Sequence, residues 1–464
     1  MPLFIVRHQH DASHCPAADP YNGANLLNYV SRPNVRKHGI TVQAEAVVRG
    51  EHTLYMIVEA ADENLVRNYM APFAMAGSLD VYPASTCAGV VSRGGCDATL
   101  APADAPTLLP EEACQQAIDD GLVVHRADPL NGETSIPALI GGVVMPNAKF
   151  YVRNHFQIPK LDLMNWRLNV GGLVERPLTQ SWRDIANMPS QSKLVTLECA
   201  GNGRSRLQPR VGGEQWNLGA VSTAEWTGVP LVEVLDRAGV KAKGRYVIFR
   251  GADHGTVDGH TETIAFERSL SLEDARGSEA LLAYAMNGEV LPFQHGFPLR
   301  VIVPSWYAVA SVKWLTDIEV VDQPFDGYYQ TEKYCFEREV NGRVDREPVT
   351  LQHVRSLITE PEEDAQVELG ELAVRGVAWS GAAPIGCVEV SVDEGPWQQA
   401  RMLGEPKRHS WQWWELITRL DRPRKYVIRS RASDISGHVQ PESPEWNRLG
   451  YCNNSIQSLE ITVQ

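Results

Sequence analysis

The sequence predicts an α+β protein of three successive parts, and three observations carry that prediction. The first hundred residues order their apolar patches as strand, helix, strand, strand, helix, strand. The middle mixes apolar strand ends and glycine-rich turns with an amphipathic helix, and the last third breaks into short strands separated by turn signals. At 464 residues the chain also exceeds what one hydrophobic core supports, so several domains are expected.

Composition removes several function classes. Hydrophobic residues at 43% and charged residues at 22% are ordinary for a soluble globular protein, and no apolar run approaches the ~18 residues of a membrane span. A net charge of -14 disfavours nucleic acid as a partner, so any anion site must be built locally. The eight cysteines are dispersed, with no CxxC pair and no CxxCH haem attachment, and are expected to be reduced. The N-terminus, MPLFIVRHQH, lacks the basic segment, apolar core and cleavage site of a secretory signal, which predicts a cytoplasmic protein.

In chain order, residues 2–8 form an apolar strand and about 23–35 a helix, with Leu26, Leu27 and Val30 at helical spacing. Residues 42–48 and 53–58 form a hairpin, 62–75 a second helix, and 79–82 a last strand. That order predicts a ferredoxin-like domain over residues 1–100, of a kind that often dimerises. Within it His8, His10, His14 and Cys15 lie close together, and Cys87 and Cys96 flank a glycine-rich turn. Such donors suit a metal or redox site, yet HxHxxxHC matches no established zinc spacing, and the same residues also suit half-exposed polar positions.

Residues 97–110 are rich in Ala, Pro and Asp, so a linker is expected over 101–125, and residues 125–146 read as an irregular lead-in. It delivers the chain to YVRNH, residues 151–155. On a strand, Arg153 and His155 would face an anion together with Asn154 opposite, although this pentapeptide by itself favours an exposed arginine and a surface histidine. The stretch 195–205, VTLECAGNGRS, places Cys199 where an apolar strand meets glycine turns. Beside Arg204 and Arg206 its thiol pKa is expected to fall, suiting a soft metal or a nucleophile; a buried structural cysteine is the other reading. Gly228-Val229-Pro230 opens a helix through Leu231, Val234 and Leu235, and YVIFRGADHG brings Asp253 and His254 to the end of a strand. Residues 281–304 end in a strand offering His295 and Arg300, followed by Ser311, Val312 and Lys313. From about 349 to the end, strands such as CVEVSV, with Val388, Val390 and Val392 alternating, predict an immunoglobulin-like sandwich, and Trp411, Trp413 and Trp414 are expected as core or interface aromatics.

Taken together, YVRNH, LECAGNGRS, GAVSTAEWTG, LLAYAMNGE, HGFPLRVIVP, SVKW and WNRLGYCNN closely resemble the sulfite oxidase family of molybdopterin enzymes, over roughly residues 128–464. The resemblance implies a mixed α+β molybdopterin domain over 126–348 and a dimerisation domain over 349–464. It implies that Cys199 is the thiolate ligand of molybdenum, and that Tyr151, Val152, Arg153, Asn154, His155, Asp253, His295, Arg300, Ser311, Val312 and Lys313 hold the molybdenum cofactor. It further implies that Arg153, Arg204, Trp216, Tyr334 and Arg448 serve a small oxyanion such as sulfite, oxidised by oxygen-atom transfer.

The resemblance has departures. Arg448 stands one position earlier than the arginine of the Trp-Asn-Leu-Arg-Gly context in animal sulfite oxidases, and Gly203 stands where those carry arginine. The loop after Asp253 reads HGTVDGHTET, and no cytochrome b5-like domain precedes the middle part, so the electron acceptor, a separate cytochrome or oxygen, is open. The competing expectations are a molybdenum enzyme for nitrate or a sulfoxide, a cysteine hydrolase using Cys199, and a non-catalytic binding protein.

Overall fold

The computed structural model describes residues 2–16, 19–48, 50–74, 76–84, 110–140, 142–257, 259–340 and 343–464. It divides into two compact units, Met1–Thr99 and Leu100–Gln464. Cys87, Cys96 and the Ala/Pro/Asp stretch up to residue 109 lie outside the described residues.

In the first unit, β1 (Leu3–His10), β2 (Thr41–Val48), β3 (Thr53–Glu59) and β4 (Gly77–Ala84) form an antiparallel sheet in the order β2-β3-β1-β4. Both expected helices occur, but each is divided. The first becomes α1 (Pro20–Val30) and α2 (Arg32–Lys37), broken at Ser31 with Pro33 just inside α2. The second becomes α3 (Glu63–Tyr69) and α4 (Ala71–Ala74), where Pro72 cannot continue the backbone hydrogen bonds of α3. Alternation along β1 buries Phe4 and Val6 against Val42, Met56, Val66 and Val81. Its neighbour Ile5 faces outward, paired in register with Ile57 and Tyr82, and all three are exposed.

The second unit begins with a helix, Pro110–Asp119, inside the stretch expected to be a linker. Ala117 packs with Leu122, Leu130 and Val152, which gives this segment a small apolar core where a linker is expected. The expected irregular lead-in likewise contains a ribbon, Val123–Arg126 paired with Asn131–Glu133. Two five-stranded sheets follow. One joins Gln191–Glu198 to Val221–Pro230, Leu281–Met286 and Glu289–Val290, with Arg300–Ile302 added. The other is centred on Tyr246–Gly255 and Leu315–Val321, the latter running parallel to Leu168–Gly172. The helix Leu231–Ala238 buries Leu231, Val234 and Leu235, as its spacing predicts.

The last third forms two sheets around a common core. Gly370–Trp379 and Gln412–Leu420 lie at the centre of one, and Lys425–Asp434, flanked by Ile385–Val392 and Gln457–Val463, forms the middle of the other. Val388 and Val390 point into that core with Val374, Trp414 and Ile428. Each such fully buried aliphatic side chain contributes about 1.5–3 kcal/mol. Trp411 instead joins Leu197 and Cys199 in a second cluster, so the last third packs directly on the loop of interest.

Candidate active site

The cysteine loop takes its shape from what precedes and follows it. Gln191–Glu198 is fully buried over its last four residues, and the chain then turns through Ala200, Gly201 and Asn202 to Gly203 at φ +80°. Only glycine adopts that angle without strain, and a Cβ there would meet the Arg355 Nη2 at 3.0 Å. The arginine that the animal enzymes carry at this position would be strained in backbone here and would crowd the Arg355 guanidinium.

Three long-range contacts hold the loop. Asn453 Nδ2 donates to the Gly203 carbonyl (2.8 Å), the Cys452 N–H donates to the Ala200 carbonyl (2.7 Å), and Arg355 Nη1 donates to Glu198 Oε1 (2.9 Å). Glu198 also accepts from Asn202 Nδ2 and, on its other oxygen, from Trp379 Nε1. The pairings of Glu198 with Arg355 and Trp379 span 157 and 181 residues and leave no periodic signal in the sequence.

Cys199 lies at a cavity also lined by Tyr151, Arg153, Asn154, His155, Asp253, Gln294, His295, Arg300, Ser311, Lys313 and Tyr334. Val152, bridged to Gly132, and Val312 are buried between lining residues but do not themselves line the cavity. The segment 151–155 is held by that single bridge rather than by a regular strand, so strict alternation fails. Asn154 therefore reaches the cavity too, with Oδ1 accepting from Lys313 Nζ and Nδ2 donating to the Leu130 carbonyl.

Electrostatics reverse one expectation. Burial pushes the Cys199 thiol pKa up, against the opposing pull of Arg153, the Gly201 backbone and Arg204. Arg206 is not a neighbour of the thiol but leans toward Glu363, 3.9 Å away. Burial also drives His155 well below its ordinary value, helped by Arg153 and Lys313, and His295 down to about 3. It lifts Asp253 to about 7 against the attraction of Lys313.

His155 Nε2 lies 2.7 Å from the Tyr334 hydroxyl, and Tyr334 stacks on Tyr451 at 4.7 Å. The Arg204 guanidinium stands behind this pair, 5.1 Å from the Tyr451 ring centroid, donating to the carbonyls of Gly450 and Glu214. Arg204 and Trp216 do not line the cavity; Trp216 is fully enclosed in the cluster that contains Cys199. Arg448 is placed elsewhere. It is exposed, forms a two-pronged ion pair with Glu337 at 2.7 and 2.8 Å, and does not line the cavity.

On the lining of this cavity, Asp253 Oδ1, Gln294 Oε1 and Arg300 Nε are buried with no hydrogen-bond partner among the described residues. Lys313 and His295 line the same cavity. Two acceptors and a guanidinium N–H left open suit a ligand rich in ring N–H groups and oxygens, with a charged end for Lys313 and Arg300. Together with the buried Cys199 thiol on the same cavity, this donor set fits a pterin cofactor carrying phosphate and a soft metal.

Residues 155–329 match the family model of the oxidoreductase molybdopterin binding domain, and residues 347–464 that of the Mo-co oxidoreductase dimerisation domain. Mitochondrial sulfite oxidase of Mus musculus is 35% identical over 365 residues, covering 74% of this chain and 66% of that protein. The chain thus spans just under two thirds of that relative. Sulfite oxidase of Arabidopsis thaliana is 33% identical over 364 residues, covering 72% of this chain and 92% of that protein. Among solved structures, the sulfane dehydrogenase SoxCD from Paracoccus pantotrophus matches with a TM-score of 0.63 at 29% identity, covering 71% of this chain and 83% of that one. On these matches, and on a cavity that joins Cys199 to the open donors around Asp253, the chain belongs to the sulfite oxidase family of molybdopterin-dependent oxidoreductases.

Proposed function

We propose that this protein oxidises sulfite to sulfate. The observation that carries the reading is the placement of Arg153, Tyr334 and Cys199 on one cavity whose lining suits the cofactor. The molybdenum cofactor, when bound, supplies two-electron oxygen-atom transfer. Cys199 would hold the metal, while Lys313, Arg300, His295 and Asp253 would hold the pterin and its phosphate. The chain's own residues do the rest. Arg153 binds the anion, and its guanidinium is fixed by donating to Asn131 Oδ1 at 3.0 Å. Neutral His155 and the Tyr334 hydroxyl form a short hydrogen-bonded pair able to orient an oxygen of the substrate. The buried aromatic wall of Tyr334 and Tyr451 limits access of bulk water.

The reading extends to the remaining parts. The strand order of the first unit supports a ferredoxin-like domain over residues 1–100, and the last third is an immunoglobulin-like sandwich that pairs two copies of the chain into a homodimer. Reduced, dispersed cysteines suit action in the cytoplasm, with a separate cytochrome or oxygen as electron acceptor. Steady-state assays on molybdenum-replete protein with sulfite, nitrate and a sulfoxide test the substrate. Turnover of sulfite with an artificial acceptor supports the proposal; turnover confined to nitrate or the sulfoxide, or retained without molybdenum, refutes it.

A further inference from the structure

The histidine-rich start of the chain takes no part in the chemistry above. Three segments of the first unit converge there: the end of β1 with His10, the short turn Ala12–His14 followed by Cys15, and the β2–β3 turn with His52. The His10 N–H donates to the His52 carbonyl at 3.2 Å, which fixes the two residues side by side. Asp11 caps the turn by accepting from the Ser13 N–H at 2.9 Å, and the Cys15 N–H closes it onto the Ala12 carbonyl. His52 holds φ +51°, a left-handed conformation that turns its ring back toward His10, with ring centroids 5.5 Å apart.

The ligating atoms of His10, Cys15 and His52 all lie within 4.8 Å of one another. A tetrahedral shell with bonds of ~2.0–2.3 Å needs them about 3.4 Å apart, which small side-chain rotations supply. Hydrogen bonding also sets a tautomer. His8 Nδ1 donates to the Ser78 carbonyl (3.0 Å), so a neutral His8 offers its Nε2 lone pair to the Nδ1–H of His10, 3.2 Å away. The His8 ring thus orients that of His10, the outer-partner arrangement found behind ligating histidines. All three residues are half-buried and border a cleft of about 950 Å³, which keeps a further coordination position accessible.

We propose that His10, Cys15 and His52 bind one divalent transition-metal ion of zinc class, with a fourth position open to the cleft. Two imidazoles and a thiolate form a mixed nitrogen–sulfur set that favours such ions over calcium or magnesium. His8 is a positioning residue that acts through His10.

The test is titration of the full-length holoenzyme with Co(II), followed by Zn(II) displacement, read by absorption. One equivalent should produce a sulfur-to-cobalt charge-transfer band that Zn(II) removes. Cys15→Ser should abolish the band, His52→Ala should weaken cobalt binding by about tenfold or more, and Cys387→Ser should leave both unchanged. Circular dichroism matching that of the parent confirms that each variant is folded. Absence of the band in the parent protein, or its survival in Cys15→Ser, overturns the proposal.

Discussion

Arg355 and Glu198 form an ion pair of 2.9 Å with both side chains almost fully enclosed, fastening the residue before Cys199 to the first strand of the last third. Removing one partner of such a pair leaves the other charged and buried. Arg355→Met is expected to lower stability by about 3–5 kcal/mol in chemical denaturation. Glu198→Gln, which keeps the shape, should cost less.

Arg153 and Arg448 separate cleanly. Arg153 lines the cavity, whereas Arg448 is bound to Glu337 at the surface. Arg153→Ala should raise KM for sulfite about 10- to 100-fold, the scale of one lost charged hydrogen bond. Arg448→Ala should leave kcat/KM unchanged and stability within about 1 kcal/mol, as for exposed ion pairs. Steady-state kinetics on the two variants check both.

Cys199→Ser should fold normally and lose molybdenum, since a hydroxyl is a poor soft-metal ligand. Metal analysis of protein purified from a host competent to make the cofactor checks this. A variant retaining both molybdenum and turnover would deny Cys199 its role.

Asp253 gives a pH dependence to the cofactor-free protein. Its pKa rises from the ordinary 3.8 to about 7 through burial, so the folded state holds a proton that the unfolded chain releases. Stability from this proton is complete below about pH 4 and is lost as pH rises toward 7. His295, held down to about 3, acts oppositely, with stability falling as pH drops below 6.5. Comparing the parent with Asp253→Asn removes the histidine contribution. The parent should lose ground to the variant across pH 4–7 in denaturation measurements.

Much of this molecule was legible in the sequence where local rules operate. Alternation marked Val388, Val390 and Val392, and glycine after an apolar strand marked Cys199, because periodicity and backbone freedom act over a few residues. Pro33 and Pro72 also carried the helix breaks, which the longer apolar spacing overrode in the reading. What escaped was non-local. Glu198 with Arg355 and Trp379, and Gly203 with Asn453, meet only after folding. His52 joined His10 and Cys15 in the same way, through β-strand register rather than sequence proximity. The partner of Arg448 is likewise non-local: it pairs with Glu337, 111 residues away in sequence.

The central claim is that sulfite reacts at the Cys199 centre. Its most direct test is anaerobic titration of molybdenum-replete protein with sulfite, following the sulfur-to-molybdenum charge-transfer band. Bleaching complete at one equivalent, and absent in Cys199→Ser, is the predicted result; a band unchanged by excess sulfite in fully loaded protein would contradict it.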